Sequence, residues 1–118
     1  FNNANIKGTN LRDCTLIHAS FENATVHKTD FGNSDLTGVN FQSADCFQSQ
    51  FLMSNLTNAN FKQANLMEAS LMQADLRQAV FADANMYSVG FIGATLGGTD
   101  FSGANLKQTI FKDWQPLK

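Results

Sequence analysis

An apolar residue stands at every fifth position, from Phe1, Ile6, Leu11 and Leu16 to Phe101, Leu106 and Phe111, through 23 consecutive positions without a charged exception. One continuous α-helix cannot use that period. At about 3.6 residues per turn, the apolar positions would wind around every side and leave most of the phenylalanines in water. The period is that of a repeat solenoid, a short unit stacked on copies of itself.

The other four positions of the unit are as regular as the large apolar centre. Two places before the centre stand small residues such as Ala4, Thr9, Cys14, Ala19 and Ala24, continuing to Ala104. Between small residue and centre the chain mostly places a short polar one, among them Asn5, Asn10, Thr15, Ser20, Asp30, Asp45, Asn65 and Asn85. Small, polar, large is strand alternation, with the small and large residues on one side of an extended segment and the polar one on the other. The last two positions must break the alternation to restart it. They hold pairs such as Lys7-Gly8, Arg12-Asp13, Glu22-Asn23, Gly32-Asn33 and Gly97-Gly98, residue types that turn a chain.

The units Ala44-Asp45, Ala64-Asn65-Leu66, Ala74-Asp75-Leu76, Ala84-Asn85-Met86 and Ala104-Asn105-Leu106 resemble the A(D/N)LXX repeats of the pentapeptide repeat family, and the likeness runs from residue 1 to about residue 113. The resemblance implies an all-β fold, a right-handed quadrilateral β-helix of about six coils with four repeats per coil. The residues offer their own check on four sides. Sorting the centres at a spacing of 20 collects Phe1, Phe21, Phe41, Phe61, Phe81 and Phe101 in one column and Leu16, Leu36, Leu56, Leu76 and Leu96 in another. A spacing of 15 scrambles them. At about 4.8 Å per coil the rod is roughly 28 Å long. Its expected supports are backbone bonds between coils, the interior columns, and outward ladders such as Asn65, Asn85 and Asn105.

Continuing the register past Phe111 puts Trp114 in a small-residue slot and Pro116 at a centre, so the repeat domain is expected over 1–113 and a C-terminal cap over 114–118, with Trp114 and Leu117 as its lid. Only two residues follow Pro116, too few for the dimerisation segment that the resemblance implies in some longer family members. Phe1 already stands at a repeat centre with no initiator Met before it, which reads as a processed protein or a piece of a larger one.

Composition narrows the function. Of 118 residues, 43% are apolar and 15% charged, and eight Lys and Arg against ten Asp and Glu leave a formal charge of −2. There is no basic footprint for nucleic acid and no apolar run long enough to span a bilayer, so the chain reads as soluble. Cys14 and Cys46 fall in separate interior slots too far apart to bridge, and as free thiols they suit a reducing, cytoplasmic setting; the resemblance also admits secreted effectors and the thylakoid lumen. His18 and His27 stand on corners of different faces without a ligand partner at useful spacing, and no nucleophile motif or paired-cysteine motif is present. Catalytic, cofactor-binding and metal-ligating residues are therefore all expected to be none, and the chain to be no enzyme. The glycines at 90, 93, 97, 98 and 103 match no nucleotide fingerprint and read as corner residues.

One surface feature exceeds what the fold needs. Phe47, Met67 and Tyr87 are 20 apart, as are Leu52, Met72 and Ile92; all six directly follow a centre, with Met53 beside them. Elsewhere that slot is mainly polar, Ile17 being the large apolar exception. These seven residues are expected to form two adjacent apolar stripes on neighbouring faces, a contact surface for a protein partner or for self-association. The leading function is thus a rigid interaction scaffold. The alternative implied by the resemblance comes from quinolone-resistance members that mimic DNA and bind DNA gyrase. Those are long, acidic and dimeric, whereas Lys7, Arg12, Lys28, Lys62 and Arg77 interrupt any acidic surface here.

Overall fold

Each outward residue of the repeat bridges in parallel to its counterpart 20 positions later, in an unbroken series from Asn5↔Thr25 to Gly90↔Ile110. That offset settles the number of sides, since five-residue units closing after 20 residues make four. In this computed structural model, which describes residues 1–110, the chain is a right-handed quadrilateral β-helix with no α-helix among the described residues. Its principal extents are 34 × 24 × 23 Å, a near-square section around one longer axis. The expectations for Phe111, Trp114, Pro116 and Leu117 lie outside the described residues.

The four faces are numbered by their outward residues. Face I carries Ser20, Asn40, Asn60, Val80 and Asp100; face II Asn5, Thr25, Asp45, Asn65, Asn85 and Asn105; face III Asn10, Asp30, Gln50, Ser70, Gly90 and Ile110; face IV Thr15, Asp35, Asn55, Asp75 and Thr95. Successive coils are joined at both flat and corner positions. On face II, the Ile6 amide donates to the Thr25 carbonyl at 2.9 Å and the Thr25 amide donates back to the Ala4 carbonyl at 2.8 Å, while at the following corner the Gly8 amide donates to the His27 carbonyl at 2.8 Å.

The corners explain two of the sequence slots. Among the described residues the second corner residue always takes a left-handed φ, between 55° at Lys28 and 75° at Gly93, and only five of these positions are glycine. A β-carbon there costs energy, least for Asn and Asp, and the coil imposes it at Met53, Gln63 and Glu68 as well. The polar slot offsets part of that cost by capping the corner. Asn60 Oδ1 accepts the Lys62 amide at 2.9 Å, Asn40 Oδ1 the Gln42 amide at 2.9 Å, and Asp30 Oδ1 the Gly32 amide at 2.8 Å. These two-residue reaches are Asx turns, which is why short amide and carboxylate side chains recur there.

Inside, the centres stack by type. Phe21, Phe41, Phe61 and Phe81 are fully buried, and neighbouring rings in the column from Phe1 to Phe101 lie 4.8 to 5.4 Å apart within 10° of parallel. Phe31 and Phe51 stack at 5.1 Å on the opposite wall and meet the first column edge-on, as Phe51 meets Phe61 at 5.7 Å and 89°. Facing them, the small slot of face II is alanine throughout, from Ala4 to Ala104. Interior hydroxyls are satisfied by carbonyls: Thr29 Oγ1 donates to Ile6 O at 2.8 Å and Ser34 Oγ to Leu11 O at 2.7 Å. No buried side-chain polar atom among the described residues lacks a partner, as a low-dielectric interior requires.

The rule that every centre is interior fails toward the ends of the described coil. Phe1 is 60% exposed and Leu96 43%, because a centre is covered by its counterparts one turn above and below as much as by its own coil. Cys46 is buried and Cys14 half-buried, both as free thiols.

Candidate functional site

The seven apolar residues singled out in the sequence all sit on corners, and the chain path brings them around one face. Residues 47–48 turn into the segment 49–51 of face III, and residues 52–53 turn out of it. Phe47, Met67 and Tyr87 therefore line one edge of face III, and Leu52, Met72 and Ile92 the other. The sequence expectation of stripes on two neighbouring faces is refined accordingly: they are the two rims of a single face. Met53 stands beside Leu52 at 56% exposure, Met72 and Ile92 are exposed at 36% and 39%, and Phe47, Leu52, Met67 and Tyr87 are half-buried. The remaining corners carry Asn2, Glu22, Gln42, Lys62, Ala82 and Ser102 between faces I and II, and Ile17, Thr37, Thr57, Arg77 and Gly97 after face IV.

Face II, on the far side of the Phe47 rim, is polar and cross-linked. Asn65 Nδ2 donates to Asp45 Oδ1 at 3.0 Å, Asn85 Nδ2 to Asn65 Oδ1 at 3.3 Å, and Asn105 Nδ2 to Asn85 Oδ1 at 3.3 Å. The head of this ladder was not legible from the five-residue period. His27 Nε2 lies 2.5 Å from Asp45 Oδ2, and the His27 ring meets Phe47 edge-on at 5.7 Å. Its signal is a spacing of 18, one coil less two residues, which brings a first corner residue beside the outward residue of the next coil. The same diagonal pairs Arg12 with Asp30 at 3.3 Å and Gln42 with Asn60 at 3.3 Å.

Electrostatic perturbations are few and fit structure better than chemistry. Burial, with Asp45 beside it, pushes the Cys46 thiol well up, so it stays protonated and unreactive. The hydrogen bond from Arg77 holds the Asp75 carboxyl below the usual carboxylate range. Because that carboxyl is depressed in the folded state, its stabilising contribution is present above the unfolded value and is lost as pH falls through the folded one. Arg77→Gln should therefore lower the thermal midpoint slightly at pH 7, and the gap to the unmodified chain should close as pH drops below about 4, the ordinary carboxylate value. The effect is small because the guanidinium is exposed; a gap that widened in acid would contradict it. Among the described residues no three His, Cys, Asp or Glu side chains gather as a metal site, and no helix is long and apolar enough to cross a membrane. Gly93, Gly98 and Gly103 take the left-handed corner conformation and Gly97 also stands at a corner, the turning role expected of them, but Gly90, expected at a corner too, lies on the flat of face III, where it bridges to Ser70 and Ile110.

Comparisons with known proteins follow the repeat. Residues 44–115 match the family described as pentapeptide repeat region, and residues 1–33 and 16–45 match that described as pentapeptide repeats (8 copies). No curated protein sequence matches the chain. Among solved structures, the chain is similar to HetL, a pentapeptide repeat protein involved in heterocyst differentiation regulation from the cyanobacterium Nostoc sp. strain PCC 7120. The identity is 26% over 98% of this chain and 63% of HetL, with a TM-score of 0.52. A trypsin-treated variant of QnrB1, a plasmid-mediated fluoroquinolone resistance protein, is 21% identical over 92% of this chain and 58% of QnrB1, with a TM-score of 0.54, a likeness of fold. The chain thus spans less than two thirds of the length of both.

Proposed function

Because the chain belongs to the pentapeptide repeat family, we propose that it is a rigid, non-enzymatic scaffold that offers the rims of face III to a protein partner. The supporting observation is that six large apolar side chains occupy corner positions that are mainly polar elsewhere, Ile17 being the large apolar exception, and that Met53, Met72 and Ile92 stay exposed there. The interior is already complete without them, so burial in the core does not account for them. Methionines with an aromatic at each end of one rim form an adaptable surface with anchors, a common composition for contact sites.

Among the described residues the coils form a filled prism with an apolar interior, whereas a substrate site needs a deep polar cleft. The reading calls on no cofactor, metal, nucleic acid or small-molecule substrate. The DNA-mimicking, gyrase-binding alternative needs a continuous acidic surface. Here the formal charge is only −2, and Lys7, Lys28, Lys62, Arg77 and Lys107 are all exposed on the corners.

Changing Met67 and Met72 together to Glu tests the reading. Both side chains lie outside the core, so circular dichroism and thermal melting should stay close to the unmodified chain. Association with a partner, read by cross-linking, or with itself, read by sedimentation, should weaken about tenfold or more if these side chains sit centrally in the contact. Undiminished association of the folded double variant would refute it.

A further inference from the structure

The floor between the two rims has a shape of its own. Along face III the outward side chains shrink from Gln50 through Ser70 to Gly90, and a β-carbon on Gly90 would stand 3.8 Å from Met72 Cγ, so the Met72 stem flanks a floor with no side chain. Two apolar rims with a midline that drops from Gln50 through Ser70 to Gly90 make a shallow trough parallel to the solenoid axis. Its backbone is already spoken for. The Ser70 amide donates to Ser49 O at 3.0 Å and its carbonyl accepts the Phe51 amide at 2.9 Å, while the Gly90 carbonyl accepts the Leu71 amide at 2.8 Å. A strand cannot be added to this face, and an extended peptide laid on it would leave its own amides and carbonyls unmatched against apolar rims. A helix carries its backbone bonds within itself.

The rung spacing suits a helix as well. Successive coils place their rings 4.8 to 5.0 Å apart through Phe21, Phe41, Phe61 and Phe81, close to the ~5.4 Å pitch of an α-helix. One apolar residue per turn can follow the rungs across three coils with little drift. Charge then marks the ends. In the corner column of the Phe47 rim, Lys7 and Lys28 lie toward one end and Lys107 toward the other, all exposed, and among the described residues none is ion-paired with a carboxylate. Glu68, in the same column, is held by Gln48 at 2.8 Å. Two copies of this chain meeting antiparallel through the trough, the two-fold arrangement that sets this rim on itself, would bring Lys28 against Lys107. A partner with carboxylates at those ends avoids that repulsion.

We propose that face III docks a single amphipathic α-helix of a different protein, lying along the solenoid axis, with an apolar row between the rims and carboxylates near both of its ends. This rests on the scaffold reading above and specifies its partner. The test uses two labelled, end-blocked synthetic helices of about fourteen residues, the length that spans four rungs. Both carry a leucine row spaced i, i+3, i+4, i+7; one has Glu in its first and last turns, the other Lys. The Glu-ended helix should bind the chain, and the Lys-ended helix should bind about tenfold more weakly at low salt. Lys28→Glu with Lys107→Glu should reverse that order, and Met67→Glu with Met72→Glu should remove both signals. Equal binding of the two helices, or binding of neither, overturns the proposal. If neither helix binds but the chain self-associates and the methionine double variant disrupts this, the occupant is a second copy: the helix inference fails while the scaffold reading stands. If that variant alters no association of any kind, both fall.

Discussion

Phe61→Asp is expected to abolish the folded state. The ring is fully buried, stacked at 5.0 Å on both Phe41 and Phe81 and met edge-on by Phe51 at 5.7 Å. Truncating such a phenylalanine costs about 3–5 kcal/mol through lost transfer energy and the cavity left behind. A carboxylate in its place adds a desolvation cost of at least several kcal/mol, since the rings of Phe41, Phe51 and Phe81 that pack against it offer no hydrogen-bond donor. Together these approach the ~5–15 kcal/mol that holds a whole small domain. A solenoid bonds each coil only to its neighbours, so the failure should open at coils three to five and spread. Phe61→Leu is the control; it keeps most of the volume, loses the ring stacking, and should cost no more than about 2 kcal/mol. Far-ultraviolet circular dichroism with urea titration separates the two. An aspartate variant melting within a few degrees of the unmodified chain would mean that the ring is not inside.

The interior that makes this prediction sharp was the most legible part of the molecule, and the reason is geometric. A core residue in a stacked coil touches its own kind one turn away, so the 20-residue spacing that sorts Phe21, Phe41, Phe61 and Phe81 in the sequence is the same spacing that pairs Asn5 with Thr25 in space. Periodicity carries less at the ends, where it placed Phe1 and Leu96 inside by register although each is substantially exposed. Membership in a column does not say whether both neighbouring coils cover it. The polar slot was read as ladders. Face II does form one from Asp45 to Asn105, but the more general role is capping, visible at Asn10 and Asn60, where the side chain reaches the amide two residues on. Of the candidate site, the residues were legible and their grouping was not. Phe47 and Leu52 are five apart and look like members of different faces until the corners are seen to bracket the segment 49–51. The His27–Asp45 contact depends on a diagonal of 18 residues, invisible when the chain is sorted only by five and twenty.

Asn65→Pro should be the second most damaging single change, and comparing it with Asn65→Ala divides the wall of the tube into its backbone and side-chain parts. Alanine removes three side-chain bonds: the cap on the Met67 amide at 3.1 Å, the bond to Asp45 at 3.0 Å and the bond from Asn85 at 3.3 Å. All three are partly solvated, so their joint loss should cost about 1–2 kcal/mol. Proline removes the same three and also the backbone donor that reaches Ala44 O at 2.9 Å, leaving that carbonyl unmatched between coils. Its fixed φ and the restriction it places on Ala64 should bring the added cost to about 3 kcal/mol. A flat sheet can hide a proline on an edge strand; an interior coil has a neighbour above and below and no edge to offer. Asn5 supplies the control within the same column, because its amide meets no acceptor among the described residues. Asn5→Pro should therefore cost far less than Asn65→Pro in a urea titration. Equal losses at the two positions would show that bonds between coils are not what holds face II, and that the stacked interior alone keeps the coils in register.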